Sequence, residues 1–547
     1  MSFKEKLLFY FLVLVFLGSV VSWGLFYYYS KTKPVAAYGG QYIEGIVGQP
    51  RNINPLLAET NQTDADISGL VYSSLFKYDG QGKLVPDLAE GYDLSSDHTT
   101  YTVRLQKNAA WQDNQPVTAN DVVFTINLLS DPAYKSPLRS NWQGITTTKV
   151  DDHTLQFKIT TPYAAFLNNL TFSILPKHLW DSVTSDSFSL NPLNLEPIGS
   201  GPYKFDSLQK DNSGNILAYT LDANPAYFGG RPNIAKITFN FYTDENSALT
   251  DLNSKKIMGI SVLSSQNVAN IKNQKSVTVY KYNIPRYYAV FFNQTKSLPL
   301  ADDNVRLALD YATDRQGIVN QVLNGDGQPA YSPFLPGMLG YSTDIGARTF
   351  NLEKANQILD SSGWARGKDG FRAKNGTALV INLVTTDWDQ LSQTADILKN
   401  QWEKVGAKVN VSTYTISDIQ QNYIRPREYD ALLFGQVVGA DPDPYSFWHS
   451  DNKKDPGLNL SLYGDSTSDT LIENGRTEVD QKKRAEDYIQ FQQALEKEVP
   501  AVFLYSPEYV YPTSTNLHGL DAQTLISPED RFWNVDQWYI ATKRIWK

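Results

Sequence analysis

Between residues 379 and 438 the chain alternates strand and helix patterns, and this leaves few folds open. Residues 379–385 read as a strand. Residues 391–405 place Ile397, Leu398, Trp402 and Val405 on one side of a helix that Gly406 stops. Residues 408–414 read as a strand, 417–425 as a helix and 431–438 as a buried strand. A β-α-β-α-β order predicts a parallel sheet with right-handed crossovers. Ligands of such sheets sit beyond the C-terminal strand ends. Here those ends are residues 386–389 (TDWD), Thr415 and residues 439–445 (GADPDPY). Two of the three carry an aromatic residue and two carboxylates each, which suits a glycosidase, a cation site or an amine-binding pocket equally.

A chain of 547 residues exceeds a single core, so two or three domains are expected. The formal charge of −9 argues against nucleic-acid binding and against a basic membrane-binding surface. The absence of cysteine removes disulfides, thiolate metal sites and cysteine nucleophiles together. Residues 7–29 (LLFYFLVLVFLGSVVSWGLFYYY) are uncharged. As a helix they span about 34 Å, enough to cross a bilayer core. Lys4 and Lys6 precede them, and Trp23 with Tyr27, Tyr28 and Tyr29 make an interfacial aromatic end. The reading taken is an uncleaved signal anchor, N-terminus inside and body outside, followed by a linker over residues 30–40. The alternative is a signal peptide cleaved at Val35-Ala36-Ala37.

Residues 70–126 read as a helix end, two hairpins and a helix start. Asp79-Gly80 and Gly82 are turn residues. Tyr101, Val103 and Leu105 alternate with polar neighbours. Thr118 with Asp121 three residues on imitates a capping box. Tyr78-Asp79, Gly82, Pro86, Leu88-Ala89-Glu90, Ser95 with Asp97, Tyr101, Trp111 with Asp113, Thr118-Ala119 and Asp121-Val122 fall in this order. The order resembles the bacterial extracellular solute-binding proteins of family 5, the oligopeptide, dipeptide and nickel receptors of ABC importers. It departs at Asn114, where that family usually has glycine. Further stretches resemble the same family: LPKH at 175–178, EPIGSGPYKF at 196–205, NPAYFGGRPNIAKITFNFY at 224–242, LADDNVRLALDYATDRQGI at 300–318 and PAVFLYSPEYVY at 500–511.

The resemblance implies an α/β, periplasmic-binding-protein-like fold of two lobes with an additional domain, after the N-terminal transmembrane helix. It implies domain I from residues 41–76, 197–287 and 500–547, domain II from 77–196 and domain III from 288–499. It also implies a function: a tethered extracellular receptor that captures short peptides in an interdomain cleft and delivers them to an ABC permease with its ATPase, as a monomer and without a cofactor. In peptide-binding members an aspartate in the loop after the last parallel strand holds the peptide α-amino group. GADPDP resembles that loop, with Asp441 as the matching carboxylate and Asp443 as the alternative. Trp388 and Tyr445 are candidate pocket walls, and Arg425 a candidate for the peptide carboxylate. Residues 49–61, which contain NINPLLAET, resemble the family's cleft-facing loop and supply Thr60 and Asn61. A receptor for a nickel chelate, opine, sugar or cell-wall peptide, or a tethered sensor without transport, is the alternative function.

The residues alone leave room for other chemistry. Paired carboxylates also suit a glycosidase, but no repeated βα pattern fills the chain. No Ser-His-Asp arrangement, zinc helix motif or nucleotide fingerprint is present, and residues 196–205 lead into a strand rather than the helix a phosphate loop requires. Only five histidines occur. His178 has no second histidine at helical spacing, so it reads as structural.

Overall fold

In the computed structural model, which describes residues 2–272, 274–345 and 348–547, the β-α-β-α-β unit is present. Strands Val380–Thr386 and Lys408–Tyr414 pair in parallel, and Val380–Thr386 also pairs in parallel with Ala431–Val437. The helix Asp389–Lys404 joins the first two. The second connection is shorter and less regular than expected, one α-turn (Ile416–Ile419) running into a π-turn (Gln420–Ile424).

This unit is the edge of a 12-stranded sheet that runs through both lobes. Its antiparallel neighbour Arg286–Phe292 explains the packing. Side chains alternate along a strand. Tyr288, Val290 and Phe292 enter one apolar core with Leu398 and Trp402, while Tyr287, Ala289 and Phe291 enter another with Trp448 and Phe491. A strand buried on both faces reads as a continuous apolar run, as YYAVFF does.

The long strand Ala501–Ser514 joins the halves. Its first part pairs with Arg286–Phe292, its last part with Val277–Asn283. The chain therefore passes between lobes twice in the sheet, near residues 284–286 and 506–508. Beyond these points the core changes: Tyr282, Ile284, Tyr509 and Tyr511 belong to the first lobe's cluster. That cluster also takes in Tyr101, Val103, Trp111 and Val122, so the 77–196 region shares its core with the rest of the first lobe.

In that region Ala89–Leu94, Thr100–Leu105, Thr154–Lys158 and Thr146–Asp151 form an antiparallel sheet in that spatial order. Thr118 precedes the helix Ala119–Ser130. The Asp121 carboxylate accepts from Thr118 N at 2.8 Å, and from Lys177 N at 2.9 Å. Asn114 has φ +70°, a left-handed turn that glycine and asparagine adopt most readily. Glycine at 199 has a different cause, a close crossing: a Cβ there would lie 2.0 Å from Val71 O. His178 pairs with Asp113 at 2.6 Å, a surface contact.

A 3₁₀ segment covers Phe166–Thr171. One expectation changes. The 30–40 segment is not a free linker. The N-terminal helix spans Phe3–Lys31 with no buried residue, and Thr32–Ala36 follows at once as a strand paired antiparallel with the C-terminal strand Thr542–Trp546. A partner some 500 residues away leaves no local signal.

Arg306 and Arg315 are structural. Arg306 donates to the carbonyls of Leu300, Glu498 and Val499; Arg315 pairs with Asp310 and donates to Phe503 O. In the first lobe Arg531 is fully buried between Glu44 (2.6 Å) and Asp66 (2.7 Å), tying the tail to the first strand and the first helix of the body.

Candidate binding cleft between the lobes

A cavity of about 610 Å³ lies between the lobes, within the range of small-ligand pockets. One wall comes from the first lobe: Pro55, Ala58 and Glu59 of the loop before the helix Gln62–Val71, with Tyr78, Tyr163, Glu529 and Asp530. The other comes from residues 438–447, the loop beyond the strand Ala431–Val437. The loop is therefore where the parallel unit predicts it.

Asx turns shape this loop. Asp443 N donates to Asp441 Oδ1 and Tyr445 N to Asp443 Oδ1, both at 3.1 Å. The two aspartates differ in their counter-charges. Both oxygens of Asp441 accept from Arg484, Nη1 at 2.6 Å, a bidentate pair with the arginine side chain almost fully buried. Asp443 is nearly buried too, but Arg476 Nε stands 3.5 Å from its Oδ2. Burial pushes the Asp443 carboxyl above its ordinary range, against the pull of Arg476. Arg476 itself lies over the rings of Tyr163 (4.8 Å) and Tyr445 (4.4 Å), and its carbonyl accepts from Ala164 N at 3.0 Å. The lobes thus touch across Arg476.

The cavity is acidic. Glu59, Asp87, Asp441, Asp443, Glu529, Asp530 and Asp536 line it, with Lys77 as the cationic side chain among the lining residues. Lys77 is committed to Asp87 at 3.3 Å. Glu59 is open to the cavity yet enclosed by its walls. Burial, helped by the charge of Glu529, raises its carboxyl to about 6. The same two causes raise Asp530 to about 7. Tyr78 is raised by burial first, then by the charges of Asp530 and Asp441.

Residues 83–457 match the model of "Bacterial extracellular solute-binding proteins, family 5 Middle". The chain belongs to this family. Family 5 proteins are substrate-binding receptors outside the cytoplasm that work with an ABC permease and its ATPase. The chain is 30% identical over 514 residues to the oligopeptide-binding protein AppA of Bacillus subtilis, covering 92% of each. The structure of that protein with a nonapeptide aligns at a TM-score of 0.75, over 93% of this chain and all of the other, at 29% identity. The dipeptide-binding protein of Escherichia coli is 27% identical over 497 residues, 86% of this chain and 90% of its own. NikZ of Campylobacter jejuni, solved with Ni(L-His), aligns at 0.76 with 25% identity, over 91% and 99% of the two chains.

Within this family-5 fold the residues singled out by sequence separate into two groups. Asp441 and Asp443 line the cavity. Tyr445 sits behind them, stacked on His449 at 4.3 Å and covered by Arg476, so it supports the loop instead of forming its surface. Trp388 stands half-exposed at the head of the helix Asp389–Lys404, away from the cavity lining. Arg425 is exposed beyond the π-turn and is also absent from the lining. Thr60 and Asn61 do not line it either. Thr60 Oγ1 donates to Leu57 O, and Asn61 caps the helix Gln62–Val71 by accepting from Thr63 N at 3.0 Å. The 49–61 loop does reach the cavity, through Pro55, Ala58 and Glu59.

Sequence reasoning missed Glu59, Tyr163, Arg476, Arg484, Glu529 and Asp530. Glu59 was within reach, since it lies in the loop already singled out. The others sit in two helices (Ser466–Thr477 and Gln481–Glu498), a turn and the tail, where charged or aromatic surface residues are ordinary.

Proposed function

We propose that this chain is a membrane-tethered receptor that captures short peptides between its lobes and delivers them to an ABC permease, acting as a monomer. The observation that carries the reading is the acidic cavity between the lobes, with the 438–447 loop on one wall and Glu59, Glu529 and Asp530 on the other. A peptide ammonium entering a partly dry, carboxylate-lined space makes charge-assisted hydrogen bonds.

Asp443 is the amine ligand in this reading. Asp441 has both oxygens committed to Arg484, and freeing them strands a buried guanidinium. Asp443 has weaker commitments to give up, the longer Arg476 contact and an interaction with the Tyr163 hydroxyl. Binding then works as closure about the two crossings near residues 284–286 and 506–508. The peptide sits against walls from both lobes, so its binding energy favours the closed form. Peptide side chains are met by a roomy cavity in place of a fitted pocket, which suits broad recognition.

The tether is read from the Phe3–Lys31 helix, whose most apolar 18 residues have a mean hydropathy of 2.2 and whose exposed surface suits a bilayer.

The test is calorimetry with a mixed pool of tri- to pentapeptides, together with mass spectrometry of whatever co-purifies in the cavity. Binding heat and co-purified peptides support the reading. Absence of heat and of any thermal shift, or a co-purified metal chelate or opine, refutes peptide capture and leaves a receptor for another solute.

A further inference from the structure

The N-terminal helix ends against the other end of the chain. Carbonyls in the last turn of a helix lack intrahelical partners, and cations are favoured beside them. Here Arg544 donates from one terminal nitrogen to Tyr29 O (3.1 Å) and Thr32 O (2.8 Å), and from Nε to Thr32 Oγ1 (2.8 Å). Lys547 donates through its amide to Lys31 O and through Nζ to Ser30 O, both at 2.8 Å. The Arg544 guanidinium lies 4.5 Å over the Tyr29 ring, and Trp546 meets Tyr28 edge-on at 6.2 Å. The register is set from Thr32 opposite Trp546 to Ala36 opposite Thr542. The C-terminal strand is therefore the cap of the N-terminal helix.

The hairpin so formed differs in charge from the rest of the molecule. Residues 30–40 and 539–547 hold Lys31, Lys33, Lys543, Arg544 and Lys547 and no acidic side chain, in a chain of formal charge −9. Lys31, Lys33, Lys543 and Lys547 are exposed, and Trp546 is 64% exposed. At roughly 3.3 Å per residue, Lys543, opposite Val35, lies about 10 Å past Thr32. That is about one Debye length at physiological salt, so all five cations lie within electrostatic reach of a surface at the helix end. Tyr27 to Tyr29, within about 8 Å of the helix end, mark the neighbouring level as an aromatic interface.

We propose that the paired termini form a collar that binds anionic lipid headgroups beside the protein's own membrane helix and so holds the body at the membrane surface. The inference rests on the tethered reading above. Phosphate headgroups complement the exposed lysines, and Trp546 enters the interface next to them. The capped carbonyls make helix and body one unit, so the collar fixes the height and tilt of the cleft over the membrane.

Because the chain contains no cysteine, Thr542→Cys provides a single site for a fluorophore on the full-length protein. The labelled protein is placed in nanodiscs of phosphatidylcholine alone or mixed with phosphatidylglycerol, and quenching by spin-labelled lipid is read. Quenching is expected to rise about twofold or more with the anionic lipid, and to fall back in high salt. Lys33→Ala/Lys543→Ala/Lys547→Ala, added to the labelled protein, is expected to abolish that rise while the protein stays inserted. Quenching that ignores lipid charge, or a rise that survives the triple substitution, overturns the collar and leaves the tether standing. The intact mass of the membrane-derived protein separates the two ideas. A chain shortened to begin after Ala37 lacks Thr32–Ala36 and overturns tether and collar together.

Discussion

Replacing Asp443 and Asp441 one at a time with asparagine separates binding from support. Both line the same cavity, but only Asp441 is locked into a bidentate pair with a buried arginine. Asp443→Asn removes the charge proposed to meet the peptide ammonium. A charge-assisted hydrogen bond contributes about 1.5–3 kcal/mol, so Kd for a free-amine tripeptide rises roughly 10- to 150-fold. Folding is little changed, because the asparagine Oδ1 still accepts from Tyr445 N. Asp441→Asn instead leaves Arg484 buried beside a neutral amide. Breaking a buried pair costs about 3–5 kcal/mol, with the lower end expected here because the amide oxygen still accepts one bond. For a lobe of this size each kcal/mol lowers the melting temperature by about 2–4 °C, so the second lobe melts at least 6 °C lower, as an order of magnitude. Calorimetry supplies both readouts. An N-acetylated tripeptide provides the control: its already weak binding does not respond to Asp443→Asn. If Asp443→Asn binds the free-amine peptide as the parent does, while a folded Asp441→Asn protein loses it, the assignment of roles is reversed. If neither changes affinity, the carboxylate mechanism is wrong.

Acidification acts on the opposite wall with two signs. Glu59 at about 6 and Asp530 at about 7 lie above their unfolded values, so between about pH 4 and 7 the folded protein holds more protons than the unfolded chain. Their contribution to stability is full below the unfolded values and is lost as pH rises through 6 to 7, while affinity for a cationic peptide falls on going from pH 7 to 5; thermal scans without ligand and calorimetry with it check the pair. Arg531→Met leaves Glu44 and Asp66 facing each other in a dry site, and chemical denaturation is expected to show a loss of about 3–5 kcal/mol in the first lobe. Gly199→Ala sets a methyl 2.0 Å from a backbone oxygen, whereas Gly214→Ala (φ +87°) meets nothing within 4 Å. Differential scanning fluorimetry is expected to show a large drop for the first, and for the second only the roughly 1–2 kcal/mol of a left-handed alanine.

What the sequence made legible is whatever has a short period. The parallel unit, the 101–105 strand and the Thr118 capping box each repeat or punctuate over short stretches, and each is present in the fold. The Asp441–Asp443 loop was found for the same reason: a parallel sheet dictates where its loops gather. What escaped depends on distant pairing. The Arg484–Asp441 contact joins residues 43 apart, Arg531 to Glu44 spans 487, and the two terminal strands lie some 500 apart. A lone arginine on a charged helix looks like a solvated face until its partner is known, and Pro34 in a short polar stretch looks like a linker until Arg544 is opposite it. Thr60 and Asn61 lie off the cavity lining for a different reason. Their loop does face the cleft, but Asn61 is needed by the helix behind it, and it is Pro55, Ala58 and Glu59 that line the cavity. Resemblance therefore locates a loop, while local capping decides which of its side chains is free to bind.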